Sequence, residues 1–279
     1  RDGRVSLGVA RITGPPERFI GENVFGGKNG AAPASFAGKS NGILSVNGVL
    51  YLGVVEQGKW RRWKIGRSTD YGKSWTFNSR SGWDFAEPDG AFSDGTFLTF
   101  GRDYQGARDE YVYIYSQEDR ATDPYGGTPK TIGMFRVTKD QLTSRQAYEY
   151  FAGLDPAGHP VWTRDITRRR PVFTNPDGVG WGTRVCYNPG LGRYLLTSWH
   201  TQASGWGIFD APEPWGPWTT VAYYDTWLDS TFKFGFTFTQ KWMSGDGQTV
   251  WMIFSGLKEY DSFNLIRASF TLRDPEGRW

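Results

Sequence analysis

Cysteine is almost missing from this chain: among 279 residues there is one, Cys186, so no disulfide can form within it. Histidine is nearly as scarce. His159 and His200 stand in none of the spacings that gather imidazoles and thiolates around zinc, and no metal or other cofactor is expected. No apolar run approaches the roughly 20 residues of a membrane-spanning helix, which argues against a membrane partner. An excess of one charge is lacking too. The 32 basic and 29 acidic residues give a formal net charge of +3 spread along the chain, without the broad basic face that a nucleic-acid partner requires. Nothing reads as a linker, so residues 1–279 are taken as one domain. The opening RDGRVSLGVARITGPP has neither an initiator Met nor a charged-then-apolar leader, and the expectation is a processed or trimmed product.

Aromatic residues and glycine are plentiful: 14 Trp, 14 Tyr and 19 Phe make 17% of the chain, beside 37 Gly. Aromatic strands and turns, with little aliphatic helix, are the profile of an all-β protein. Five segments repeat one pattern, an alternating apolar strand followed by a polar or Pro/Gly turn: SLGVARITGPP, RWKIGRSTDYGKSW, TIGMFRVTKDQL, GWGIFDAPEPWGPW and FNLIRASFTL. Before each of the last four lies a predicted hairpin: GILSV with VLYLGVV, FLTFG with YVYIY, TRVCY with RYLLTSW, and FGFTF with VWMIF. Asn47-Gly48, Asn188-Pro189-Gly190 and Gly245-Asp246-Gly247 supply turn chemistry for three of them. Each repeat reads as strands A, B, C and usually D, the unit of a β-propeller blade. A β-sandwich also gives alternating strands, but does not predict five similar third strands.

The first of the five has no A–B pair before it, so the chain is expected to begin in the middle of a blade. The expected architecture is a five-bladed β-propeller whose first blade is incomplete at the N-terminus; an open or four-bladed ring, with the early strands packed on a neighbouring blade, is the alternative.

Ser68-Thr69-Asp70-Tyr71-Gly72-Lys73-Ser74-Trp75 fits the Asp-box pattern Ser/Thr-x-Asp-x-Gly-x-Thr/Ser-Trp, found on outer hairpins of sialidases and other sugar-active propellers. Its role there is structural: the Asp ties down turn amides and the Gly takes a positive φ. A wider resemblance runs through FLTFGRDYQGARDEYVYIYS, AYEYFAGLDPAGHPVWTRD, RRRPVF, YNPGLGRYLLTSW and DAPEPWGPWTTV. These segments resemble a bacterial family of five-bladed propellers, long classed as a domain of unknown function, whose characterised members include endo-D-arabinanases. The resemblance implies hydrolysis of a furanose polymer such as arabinan in a central funnel, by a secreted or cell-envelope monomer with a polysaccharide or oligosaccharide partner. In that family the first inner hairpin is rich in Asp-Gly pairs and supplies catalytic carboxylates. Without it, residues 1–279 are expected to bind glycan weakly and to turn it over very slowly.

In a propeller the funnel lies where innermost strands begin and B–C loops rise. Glycosidases need two carboxyl groups, and Glu87 and Asp89, in WDFAEPDGAFSDG, are the catalytic candidates. Both precede an inner strand, and Pro88 favours an extended segment that projects the two side chains to a similar side. For Asp89 a plain Asp89-Gly90 turn is the competing reading. Candidate substrate-binding residues are Lys28, Asn29, Lys39 and Asn41 in the first full blade, Arg168 and His200 in the third, and Asp229 and Glu259 in the fourth. His200 ends a strand at the expected rim, where it serves a sugar hydroxyl or simply caps the strand. One arginine of Arg168-Arg169-Arg170 is positioned to turn inward against an anion. Arg102, Asp103, Arg108 and Asp109 surround an A–B turn at the opposite end, where an ion-pair network is expected. Two other functions stay open: a polysaccharide lyase using Lys28, Lys39, Arg168 and His200 on a uronate, and a carbohydrate-binding propeller without catalysis.

Overall fold

The computed structural model describes residues 7–26, 38–56, 62–77, 83–84, 95–118, 129–180, 182–200, 205–229, 232–260 and 262–273, with backbone alone at 41, 56, 62, 83 and 84. Among the described residues the helices are single 3-10 turns, and none is long and apolar enough to cross a membrane. The strands form antiparallel sheets. Strands β1 (Val9–Thr13) and β2 (Ile20–Phe25) form a two-stranded hairpin. The next sheet runs β3 (Gly38–Val46), β4 (Val49–Glu56), β5 (Arg62–Ser68) and β6 (Thr76–Phe77), with β7 (Trp83–Asp84) also on β5. The third sheet runs in chain order from β8 (Gly95–Phe97) through β9 (Tyr111–Gln117), β10 (Thr131–Thr138) and β11 (Glu149–Leu154) to β12 (Pro160–Thr163), and β13 (Pro171–Thr174) returns to pair with β10. The fourth is β14 (Arg184–Asn188), β15 (Arg193–His200), β16 (Gly205–Ala211) and β17 (Thr219–Tyr224). The last is β18 (Phe234–Phe238), β19 (Thr249–Ser255) and β20 (Phe263–Ser269).

The chain is therefore all-β, with its sheets arranged as propeller blades: four sheets of three or more strands and the β1–β2 hairpin. Each predicted third strand falls on one of these strands, and so do the predicted hairpins, except that FLTFG (97–101) overlaps β8 only at Phe97. The β11–β12 hairpin is an addition that strand alternation did not foretell. It extends the third sheet outward and carries Trp162 against Trp215 of the neighbouring sheet, ring centroids 6.5 Å apart.

Innermost strands stand side by side and run the same way. Thr99, just past β8, bridges Cys186 of β14 in parallel, its N–H donating to Val185 O (3.2 Å) while the Tyr187 N–H donates back to Thr99 O (2.9 Å). At one end of the next junction Gly182 abuts Gly235, and at the other the Asn188 amide donates to Gly247 O at 2.8 Å. The starts of β3, β8, β14 and β18 thus share one face, called upper here, and the hairpin turns share the lower.

Large side chains lock sheet to sheet. Trp63 on β5 is 1% exposed and meets Phe135 of the next sheet edge-on, 6.0 Å between centroids. Its indole fits because Gly53 and Gly95 have no side chain: a Cβ there would fall 2.6 and 2.5 Å from the ring. Removing such a buried indole typically costs about 3–5 kcal/mol.

On the lower face Asp103 and Arg108 bind neighbouring sheets, and Asp109 binds its own strand β9. Asp103 accepts hydrogen bonds from Ser45 Oγ (2.9 Å) and the Gly48 N–H (2.8 Å) at the β3–β4 turn. Arg108 reaches Glu213 at 3.5 Å and the Tyr194 hydroxyl at 3.4 Å. Asp109 accepts from the Tyr111 N–H and the Tyr113 hydroxyl. The expected ion-pair network within one turn is thereby corrected: that turn sits between two others, which supply the partners of Asp103 and Arg108, while Asp109 alone holds its own hairpin. The Asp-box forms on the outer hairpin, where Asp70 accepts from Ser68 Oγ (2.8 Å), the Ser74 N–H (2.9 Å) and Ser74 Oγ (2.6 Å). Gly72 takes φ 87°, and the Trp75 indole donates to its carbonyl at 3.0 Å.

Candidate functional site

The upper face collects strand ends, so it collects the side chains that strand ends carry. Lys39 is the second residue of β3, half-buried, and Asn41 follows within a register shift between Lys39 and Gly42. Bulges of this kind re-aim side chains and recur next to binding sites. Asp229 lies between β17 and β18, and Glu259, exposed, between β19 and β20. Glu87, Asp89, Lys28 and Asn29 lie outside the described residues.

Of the three consecutive arginines, Arg168 is exposed and Arg169 is the one turned inward. The Arg169 Nε donates to Glu118 Oε1 at 2.9 Å, and its Nη1 donates to Ile166 O at 2.9 Å. Both side chains of this pair are nearly sealed from water, 4% and 1% exposed. The anion that Arg169 meets is thus the protein's own carboxylate, just past β9. A charge so deeply buried demands its partner.

His200 ends β15 as expected, yet its imidazole is 1% exposed. The reason is Tyr223 on β17, whose ring stacks on it at 4.0 Å and 7°. Burial holds the imidazole below its ordinary 6.5, with Asp177 and Asp225 pulling it partly back. Tyr223 is 37% exposed and so presents its other side to solvent. Its hydroxyl donates to Asp177 Oδ2 at 2.8 Å and accepts from Asn175 Nδ2 at 3.1 Å. Burial, reinforced by the bond to Asp177, pushes that hydroxyl up to about 12, so it remains a donor at neutral pH. Asp229 is likewise engaged: the buried Lys233 donates to its Oδ1 at 2.5 Å and to its backbone carbonyl at 2.8 Å.

Sequence reading missed Tyr223, Asp177, Asn175 and Glu118. The available signal was weak. Tyr223 is the next-to-last residue of a strand in TTVAYYD, and Asn175 and Asp177 flank Pro176 in a polar turn, neither distinctive without the fold.

A cavity of about 890 Å³ lies among the inner strands. Its walls are largely apolar, with Leu7 and Val9 on the β1 side, Ile43 and Leu52 on β3 and β4, and Phe238 and Ile253 on β18 and β19. Among the described residues that line it, the charged side chains are Arg102, Arg184 and Lys241. Of the candidate residues named from the sequence, Lys39, Asn41, Arg168, His200, Asp229 and Glu259 are absent from its described lining. Among the described residues no group of three His, Cys, Asp or Glu side chains is placed to hold a metal ion.

A family model described as "Domain of unknown function (DUF4185)" matches residues 39–264. No curated protein matches the chain. Solved structures similar in outline include the GH43_1 enzyme from Xanthomonas citri, at 12% identity and a TM-score of 0.48, covering 85% of this chain and 69% of that one. Another is CoXyl43, a GH43 beta-xylosidase/alpha-arabinofuranosidase from a compost microbial metagenome in complex with xylotriose, at 13% identity and a TM-score of 0.46, covering 85% and 70%. A structure from Bacteroides ovatus ATCC 8483 aligns at 14% identity and a TM-score of 0.47, over 78% of this chain. The present chain spans 54% of that protein's length.

Proposed function

This chain belongs to the family described as Domain of unknown function (DUF4185), and from that premise, which leaves the chemistry open, we propose a glycoside hydrolase that cuts within a furanose-containing polysaccharide such as arabinan. The support lies in the strands that bracket Glu87 and Asp89. β7 pairs Asp84 with Arg62, at the start of β5, and β8 begins at Gly95, so the chain leaves one sheet and enters the next on the upper face. That is the face of His200, Tyr223, Asp177 and Asp229.

Hydrolysis needs one carboxyl group protonated, to deliver its proton to the glycosidic oxygen, and one ionised, to activate water or to attack the anomeric carbon. We assign these roles jointly to Glu87 and Asp89. Lys28, Asn29, Lys39, Asn41, Arg168, Asp229 and Glu259 are proposed to bind sugar hydroxyls. His200, covered as it is, serves by holding Tyr223, whose open side suits stacking on a sugar ring. A polymer of this kind is met outside the cell, so the protein is assigned to secretion or to the cell envelope, acting as a monomer.

The test is arabinan incubated with residues 1–279 and its products analysed. New reducing ends are expected at a slow but measurable rate. General acid–base catalysis contributes about 10² to 10⁴ per group, so Glu87→Gln should reduce that rate at least a hundredfold without lowering Tm. Unsaturated, ultraviolet-absorbing ends would establish a lyase instead. Retention on arabinan with neither product would establish a binding propeller, and either outcome overturns the hydrolase.

A further inference from the structure

A second aromatic cluster lies on the upper face, one sheet farther along. Phe232 and Phe234, at the entry to β18, meet Tyr260 from the connection between β19 and β20. The Tyr260 ring stands 6.5 Å from Phe232, planes 24° apart, and 5.5 Å from Phe234. Trp199 meets Phe232 edge-on at 5.5 Å and ties the cluster to β15. The two phenylalanines are half-buried, whereas Tyr260 is 64% exposed. A ring that leans on two others while most of its surface meets water is a platform, not a core contact.

The loop beneath this platform is fixed in place. Ser262 Oγ donates to Glu259 O at 2.7 Å, and the Asn264 amide donates to Ser262 Oγ at 2.9 Å. Lys258 holds φ 63°, and Leu228, in the connection that leads to β18, holds φ 65°. That conformation is costly for any residue with a Cβ, and such residues gather at ligand-binding positions. Trp199 and His200 are consecutive in β15, so their side chains leave opposite faces of the fourth sheet. Tyr223 stacks on His200 and bonds Asp177, past β13 of the third sheet. Tyr260 reaches Trp199 through Phe232, on the side of the last sheet. The two exposed tyrosines therefore stand in successive grooves with the fourth sheet between them. Packed sheets lie about 10 Å apart, more than one sugar ring spans.

We propose that Tyr260, on its Phe232–Phe234 support, is a second sugar-stacking position, and that one polysaccharide chain lies over the end of the fourth sheet from Tyr223 to Tyr260. This rests on the reading of the upper face as a glycan site. Each tyrosine ring takes the apolar face of one sugar unit, and the rim supplies hydroxyl partners. Those are the carboxylates of Glu259, next to Tyr260 in the chain, and of Asp229, which Lys233 holds from between the two phenylalanines. A ligand held at two separated points gains affinity once it is long enough to reach both. The protein therefore selects long chains over disaccharides.

The experiment titrates residues 1–279 with two arabino-oligosaccharides, one of two units and one of eight, by calorimetry in the cold, well below the Tm of every variant. Tyr260→Leu keeps an apolar cover over Phe232 and Phe234 and should leave the Tm unchanged. It should weaken binding of the longer sugar about tenfold and leave the shorter almost unaffected, while Tyr260→Phe retains both affinities. Binding of the longer sugar that Tyr260→Leu leaves intact would overturn the proposal and spare the hydrolase. Equal losses at both lengths would overturn it too, since they deny a second position, as would a loss matched in Tyr260→Phe, which would assign the contact to the hydroxyl. No binding at either length would overturn the proposal together with the glycan reading. Length-dependent binding lost in Tyr260→Leu, with no product formed on warming, would uphold the platform and overturn the hydrolase alone.

Discussion

The ring of Tyr223 lies flat on the imidazole of His200, centroids 4.0 Å apart and planes 7° from parallel. The stack joins the last residue of one strand to a strand two places outward in the same sheet, and it decides which of the two rings solvent reaches. It also makes His200 a reporter of pH.

Burial depresses the His200 pKa below 6.5 in the folded protein, whereas the unfolded chain takes up that proton near 6.5. Above 6.5 neither state is protonated at this site and the residue adds no pH dependence. As pH falls below 6.5 the unfolded state binds a proton that the folded state refuses, so stability declines until the folded pKa is reached, then levels off. The urea midpoint of wild type should fall through this window, with His200→Gln flattening that part of the curve. Tyr223→Ala should move the imidazole back toward 6.5, read by NMR titration of the ring.

At the Asp-box, three hydrogen bonds led by those from Ser74 hold the Asp70 carboxyl down at about 2. The contribution of this group is complete above its ordinary 3.8 and disappears as pH falls toward 2. Asp70→Ala should lower Tm at neutral pH while leaving glycan turnover or retention unchanged, because the hairpin lies on the lower face. Lost activity at an unchanged Tm would contradict a structural role.

Arg169 and Glu118 form a pair that removal of either partner should expose. Arg169→Ala takes the guanidinium away from the buried Glu118 carboxylate, a change that typically costs about 3–5 kcal/mol. The double variant Arg169→Met with Glu118→Leu should be more stable than either single change, since no uncompensated charge remains. Urea unfolding of the four proteins provides the cycle, and additive losses would show that the two side chains do not depend on each other.

Local patterns in the sequence determined the all-β class, the order of third strands and hairpins, and the Asp-box turn. Alternation is written in neighbouring residues, and the turn at Asp70 is closed by Ser68 and Ser74, a few positions away. Tertiary structure alone decided the rest. Arg169 turns inward and Arg168 does not because Glu118 arrives from the end of β9, a partner remote in the chain. His200 is hidden because β17 brings Tyr223 over it, and Asp103 turns to Ser45 and Gly48 because two hairpin turns meet on the lower face. Such choices depend on which strand ends converge, and no periodicity within a single strand encodes that.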